Sequence, residues 1–164
     1  MEPRYDDEDA VQRAPATHRA LRAQPAVIDD EGLRIGSQYV MFFAEADLMR
    51  EHATRLTEDV TRPNVLEVGL GLGVFAAHLQ ECGIGTYTAI EPHSGVALLT
   101  RERVVDAITA PLRVYVEPWQ LVTLPTESFD AIMYDTWPPD GHADADFADF
   151  VAQIAIPCLR PSGR

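Results

Sequence analysis

The chain has 164 residues, a hydrophobic fraction of 46% and a formal net charge of −13, and it contains no lysine. That length gives one domain with a sizeable core, while the acidity argues against nucleic acid, whose phosphates need positive charge to bind. No apolar run reaches the roughly 18 residues of a membrane helix, and the acidic start Met1–Asp9 lacks a signal peptide's apolar core, so a cytoplasmic location is expected.

In chain order, residues 1–32 show no clear periodicity and are read as a mobile or loosely docked arm, leaving 33–164 as the folded domain. From Gln38 to about Asp59 the apolar residues Val40, Met41, Phe43, Ala44, Leu48, Met49 and Leu56 recur at helical spacing, which predicts a helix. Strand 64–68, helix 72–82, strand 86–91, helix 95–108 and strand 112–116 follow, Pro111 separating the last two. A loop at Glu117–Gln120 leads to strand 129–135 and a helix over 144–159. Alternating strands and helices predict an α/β, doubly wound parallel sheet with ligands at the carboxyl ends of its strands. Cys82 and Cys158 lie in apolar helical stretches and read as buried free thiols in a reducing compartment.

The chain stops at Leu159–Arg164, a turn of the kind that leads into a fifth strand. The expectation is a sheet truncated after its fourth strand and helix, with Ile132, Met133 and Tyr134 along an open apolar edge. Such edges invite pairing, so a homodimer through this edge is one expected assembly.

The segment Val65-Leu66-Glu67-Val68-Gly69-Leu70-Gly71-Leu72-Gly73 reads as a buried strand entering a glycine turn and then a helix. Alternate glycines let the backbone turn sharply and approach a ligand closely, and the helix start offers free N–H groups. The next strand ends at Glu91, placed to receive two ribose hydroxyls. The unit is a nucleoside-binding βαβ. A dinucleotide fingerprint would put its third glycine at position 74, where Val74 stands. The Glu67-x-Gly69-x-Gly71-x-Gly73 spacing instead resembles the first motif of class I methyltransferases, which use S-adenosylmethionine (SAM).

A wider pattern narrows this. Leu33-Arg34-Ile35, Val40-Met41 with Glu45 and Met49, the glycine turn, Glu91, Trp119 and Tyr134-Asp135-Thr136-Trp137-Pro138 occur in this order and spacing. Together they resemble the guanidinoacetate N-methyltransferase family and its relatives that methylate the guanidine of arginine. The resemblance runs from about Leu33 to Gly163 and implies a Rossmann-like class I fold and SAM-dependent methylation of a small guanidino compound. It implies that Glu45 and Asp135 grip the guanidinium as the catalytic pair, with Met41 near the substrate. It also implies that Met49, Glu67, Gly69, Leu70, Gly71, Leu72, Gly73, Val74, Phe75 and Asp135 contact the cofactor, that Glu91 holds the ribose, that Pro92 and His93 border the adenine, and that Trp119 and Gln120 close over it.

The chemistry fits that assignment. A planar guanidinium presents paired N–H donors that carboxylates receive in bidentate fashion, and two carboxylates can fix one nitrogen in line with a methyl group. Moving a proton from a free guanidinium to an ordinary carboxylate is uphill by roughly 12 kcal/mol. Proton transfer to Asp135 is therefore expected to be coupled to methyl transfer.

The family's tryptophan before the glutamate is Ala44 here, and its histidine-containing segment is replaced by Pro139–Asp146. The family's residues after the fifth strand, which bind the substrate's carboxylate end, have no counterpart in this chain. Asp140, His142, Asp144 and Asp146 lack a calcium loop's glycine and distal glutamate, and read as a solvated, helix-capping loop rather than a metal site. Two rivals remain: a SAM methyltransferase for a non-guanidine acceptor, and a non-catalytic SAM-binding remnant or partner subunit.

Overall fold

A computed structural model describes residues 16–104, 106–136 and 143–164. The expectations placed on residues 1–15 and on Trp137–His142 lie outside the described residues.

The described part of the expected arm carries helix α1 (Ala16–Arg22) and strand β1 (Ala26–Ile28). With β2 (Gly32–Ile35) and β3 (Gln38–Phe42), β1 forms an antiparallel sheet in sequence order. Asp29 closes the first hairpin. Its Oδ1 receives the amides of Glu31 and Gly32 at 3.0 and 3.2 Å, and its Oδ2 receives Arg34 Nε at 3.0 Å and the Tyr39 hydroxyl at 2.8 Å. The Arg34 guanidinium first, then Tyr39, hold its carboxyl at about 2.

The helix expected from Gln38 begins eight residues later, as α2 (Ala46–Thr57). Tyr39, Val40 and Phe42 favour extended backbone, and pairing with β2 satisfies it. Apolar spacing alone did not separate that strand from the helix behind it. Glu45 marks the junction: its carboxylate receives the Phe42 amide at 2.8 Å across a 3₁₀ turn, Phe43–Glu45. Met49, Ala53 and Thr57 then form the buried stripe of α2.

The principal sheet is four parallel strands in the order β6-β5-β4-β7. They are β4 (Asn64–Val68), β5 (Thr86–Ile90), β6 (Leu112–Tyr115) and β7 (Ala131–Tyr134), with helices α3 (Val74–Glu81) and α4 (Ser94–Val104) between the first three. One face of the sheet packs Val65, Tyr87 and Ala89 against Met49, Ala53, Phe75 and Leu79. The other packs Leu66, Val68 and Ile90 against Trp119, Phe129, Phe150 and Ile154. Helices on both faces make this the doubly wound α/β fold expected from the sequence. Helix 72–82 was expected to start at Leu72; it starts at Val74, because Gly73 caps it in the left-handed region at φ 70°. The last helix is broken in two, α5 (Ala143–Phe150) and α6 (Ile156–Cys158), joined by a π-turn at Val151–Ala155. Pro157 has no N–H to donate, and the wider turn before it relieves the clash its ring would make in a regular helix.

The outer strand β7 is less open than expected. Phe129 bridges Leu159 in parallel, and Arg164 donates to Asp130 O at 3.0 Å and accepts from Ile132 N at 2.9 Å. The C-terminal turn thus occupies the first part of the edge on which a homodimer was expected. Cys82 is half-buried and Cys158 buried, and both are free thiols.

Candidate active site

Parallel pairing brings the ends of β4, β5 and β7 into line: Val68 sits beside Ile90 on one side and Tyr134 on the other. The chain leaves each strand at the same level, so Gly69, Glu91 and Asp135 meet at one edge of the sheet. Gly69 N donates to Ile90 O and Asp135 N to Val68 O, each at 2.9 Å. Gly69 has φ 95°, and a Cβ there would lie 2.0 Å from the carbonyl oxygen of Asp135. Only glycine lets the turn pass so close to the end of β7.

A cavity of about 280 Å³ opens at this edge, roofed by α1, β2, β3 and α2. Of the residues expected from the sequence, Met41, Glu45, Met49, Glu67, Gly69, Leu70, Gly71, Phe75, Glu91, Pro92, His93 and Asp135 line it. Leu72, Gly73 and Val74 do not reach its wall: Leu72 is buried, and Gly73 packs against Thr100 and Val104. Leu72 still touches the site through its backbone, its N–H pointing at the Met41 sulfur at 3.2 Å. Trp119 and Gln120 also stand off the wall. Trp119 is buried edge-on to Phe150 at 5.5 Å on the opposite face of the sheet.

Sequence reasoning missed Leu21, Leu33, Ile35, Val40, Val96 and Thr136 as lining residues. Leu33 and Ile35 flank Arg34 in strand alternation, a signal that was available. Leu21 was hidden because the arm showed no periodicity, and only its docking in three dimensions brings it over the cavity. That docking runs through His93: its Nε2 sits 2.9 Å from Gln24 O, while Nδ1 receives the Val96 amide at 3.2 Å. These partners assign the proton to Nε2.

Among the described residues, four carboxyl groups face this cavity: Glu45, Glu67, Glu91 and Asp135. Glu91 is buried; its oxygens receive His93 N at 2.9 Å and Gly71 N at 3.3 Å, yet burial outweighs these donors and lifts its pKa to about 7. Glu67 is fully enclosed, and burial pushes it well above the ordinary range although the Tyr87 hydroxyl donates to it. Asp135 is open at the cavity mouth, but atoms crowding its carboxyl raise its pKa, the Glu45 carboxylate raises it further, and His52 opposes the shift. An acid-lined cavity with a backbone approach at glycines suits a cationic ligand carrying a ribose.

The fold and this edge define the chain as a class I methyltransferase by architecture. It resembles a phosphoethanolamine N-methyltransferase from Haemonchus contortus, solved with phosphoethanolamine and S-adenosylhomocysteine, at TM-score 0.59 and 14% identity over 93% of this chain and 28% of that one. It also resembles a tRNA methyltransferase from Aquifex aeolicus (TM-score 0.54, 14% identity, 75% of this chain and 45% of that one). A ribosomal-protein methylase from Lactobacillus delbrueckii subsp. bulgaricus gives TM-score 0.53 at 17% identity, over 72% of this chain and 54% of that one. The chain thus spans 28% to 54% of the length of these relatives. Residues 14–164 match the guanidinoacetate N-methyltransferase family model, and the chain belongs to that family. Class I methyltransferases take their methyl group from SAM.

Proposed function

We propose that this chain binds SAM in the acidic cavity and directs its methyl group to a guanidino nitrogen of a small molecule such as guanidinoacetate or arginine. The observation that carries the reading is the meeting of Glu45 and Asp135, distant in sequence, on one cavity wall beside the glycine turn. Gly69 and Gly71 fit a cofactor there, since a Cβ at either would crowd Asp135 or the Met41 sulfur. Glu91 would receive the ribose hydroxyls, Met49 and Phe75 would pack on the cofactor, and Pro92 and His93 would border its base. Trp119 and Gln120 belong to the turn after β6, the strand beside β5 and Glu91, and would flank the adenine from behind the wall rather than close over it.

When bound, SAM supplies an electrophilic methyl group on a sulfonium. Glu45 and Asp135 then have two tasks: to hold the planar guanidinium by paired hydrogen bonds, and to keep one nitrogen aimed at that methyl. As the new N–C bond forms, that nitrogen must lose a proton. Asp135 is the acceptor, because its raised pKa makes it a stronger base than an ordinary aspartate.

Product mass spectrometry over a panel of guanidines and plain amines tests the acceptor class; methylation confined to non-guanidines refutes it. Asp135→Asn tests the base: turnover should fall by about 100-fold or more while S-adenosylhomocysteine still binds. Near-normal turnover in that variant would remove Asp135 from the role.

A further inference from the structure

Asp146, one turn into α5, is the point where three side chains from two other elements converge. Its Oδ1 receives Gln120 Nε2 at 2.9 Å; its Oδ2 receives the Trp119 indole N–H at 3.2 Å and also the Tyr134 hydroxyl. Trp119 and Gln120 belong to the turn that follows β6, and Tyr134 is the last residue of β7, directly before Asp135. An ionised carboxylate has about four acceptor sites on two oxygens, so it can serve all three donors at once. An asparagine has one oxygen and would turn its own N–H₂ toward a donor. These contacts also take up both oxygens of a residue whose sequence neighbourhood had raised the question of a metal.

We propose that Asp146 is a positioning residue of the methyl-transfer site. It straps the Trp119–Gln120 turn, on the cofactor side, to Tyr134, the neighbour of Asp135 on the acceptor side. The inference rests on the function proposed above, in which that turn flanks the adenine. Asp146 touches neither ligand; it acts through the two segments it joins. Because Tyr134 points to the face of the sheet opposite Asp135, the strap holds the strand end from behind and leaves the cavity clear. Its consequence is coupling: loosening the Tyr134 end should be felt where the cofactor binds.

The test is calorimetric titration of the full chain with S-adenosylhomocysteine, alongside the Trp119 indole N–H resonance read in a Trp137→Phe background. Asp146→Ala is expected to weaken binding about tenfold and to shift the indole proton toward its solvent-exposed position. Asp146→Asn is expected to fall between it and the wild type. Tyr134→Phe removes one hydroxyl on the far side of the strap and is expected to weaken binding about threefold. A role confined to local packing of the Trp119 turn would leave that variant unaffected. If Asp146→Ala folds and binds within twofold of wild type, the proposal is overturned. If Asp146→Ala does not fold, Tyr134→Phe decides alone, and unchanged affinity overturns the coupling. A wild-type chain that ignores S-adenosylhomocysteine would refute the cofactor reading and the strap's role with it, whereas failure of the variants alone refutes only the strap.

Discussion

Glu91 offers the sharpest test, because the group expected to bind the ribose is also one the fold holds against its ionisation preference. Burial lifts its carboxyl from 4.5 to about 7 despite the His93 and Gly71 amides. A rise of that size is about 3 kcal/mol of differential interaction between the two protonation states. Between those pH values the unfolded chain has released the proton and the folded chain has not, so stability falls as pH rises. The contribution is fully present below about 4.5 and lost as the pH passes about 7. Glu91→Gln removes this titration. Relative to wild type, the variant should gain about 3 kcal/mol between pH 4.5 and 8, read by urea unfolding of both proteins at each pH. Groups that do not feel Glu91 cancel in the difference, and Glu67, which the Glu91 charge helps raise, adds in the same direction. Ligand binding should run the other way: ribose hydroxyls donate to the ionised carboxylate, so wild-type affinity for S-adenosylhomocysteine should rise about tenfold per pH unit below 7 and then level off. The variant should bind weakly and without that slope. Stability differences that stay constant from pH 4.5 to 8 would refute the reasoning, since they would mean Glu91 ionises alike in both states.

Two further substitutions probe the geometry. Gly69→Ala forces a Cβ against the Asp135 carbonyl at a backbone angle of φ 95°, and should cost about 3 kcal/mol of stability with loss of ligand binding; a melting temperature within about 2 °C of wild type would mean the turn can move aside. Glu45→Gln removes the carboxylate that helps raise Asp135, so the acidic limb of the kcat/KM profile should move to lower pH while the KM for the guanidine rises; an unmoved limb would show that Asp135 does not feel Glu45.

The glycine turn and Glu91 were legible because their chemistry is local: the turn needs φ > 0 and close backbone approach, and both leave a mark in residue type. The parallel sheet was legible from the alternation of apolar runs with helical periods. The β3 strand was not, since Val40 and Met41 fit a helical period that continues through Phe43, Leu48 and Met49, and only the partner strand β2 separates strand from helix. Leu21 and the Gln24–His93 contact depend on where residues 16–28 dock, which local pattern does not encode. Trp119 was placed correctly on its turn, but the Phe150 ring draws its indole to the other face of the sheet. Asp146 drew notice only as one of a run of acids; its three donors come from remote segments, and spacing within its own helix carries no trace of them.

The distribution of charge in the cavity bears on why the site has more carboxyl groups than binding alone requires. The enclosed ones are not equivalent to the open ones: burial favours the protonated form of Glu67 and leaves Glu91 poised about neutrality, whereas Glu45 and Asp135 lie at the mouth. On the function proposed here, methyl transfer begins with two cations, a sulfonium and a guanidinium, and ends with one guanidinium, a neutral thioether and a released proton. A carboxylate about 5 Å from a unit positive charge is worth on the order of 3 kcal/mol at an effective dielectric near 20. That attraction acts on both reactants but on only one product. Once Asp135 takes the proton, its own charge is gone as well, so the hold on the methylated guanidinium weakens in the same step. The acidic cavity therefore favours the charged donor over the spent one, and the transferred proton switches off part of the grip that positioned the acceptor.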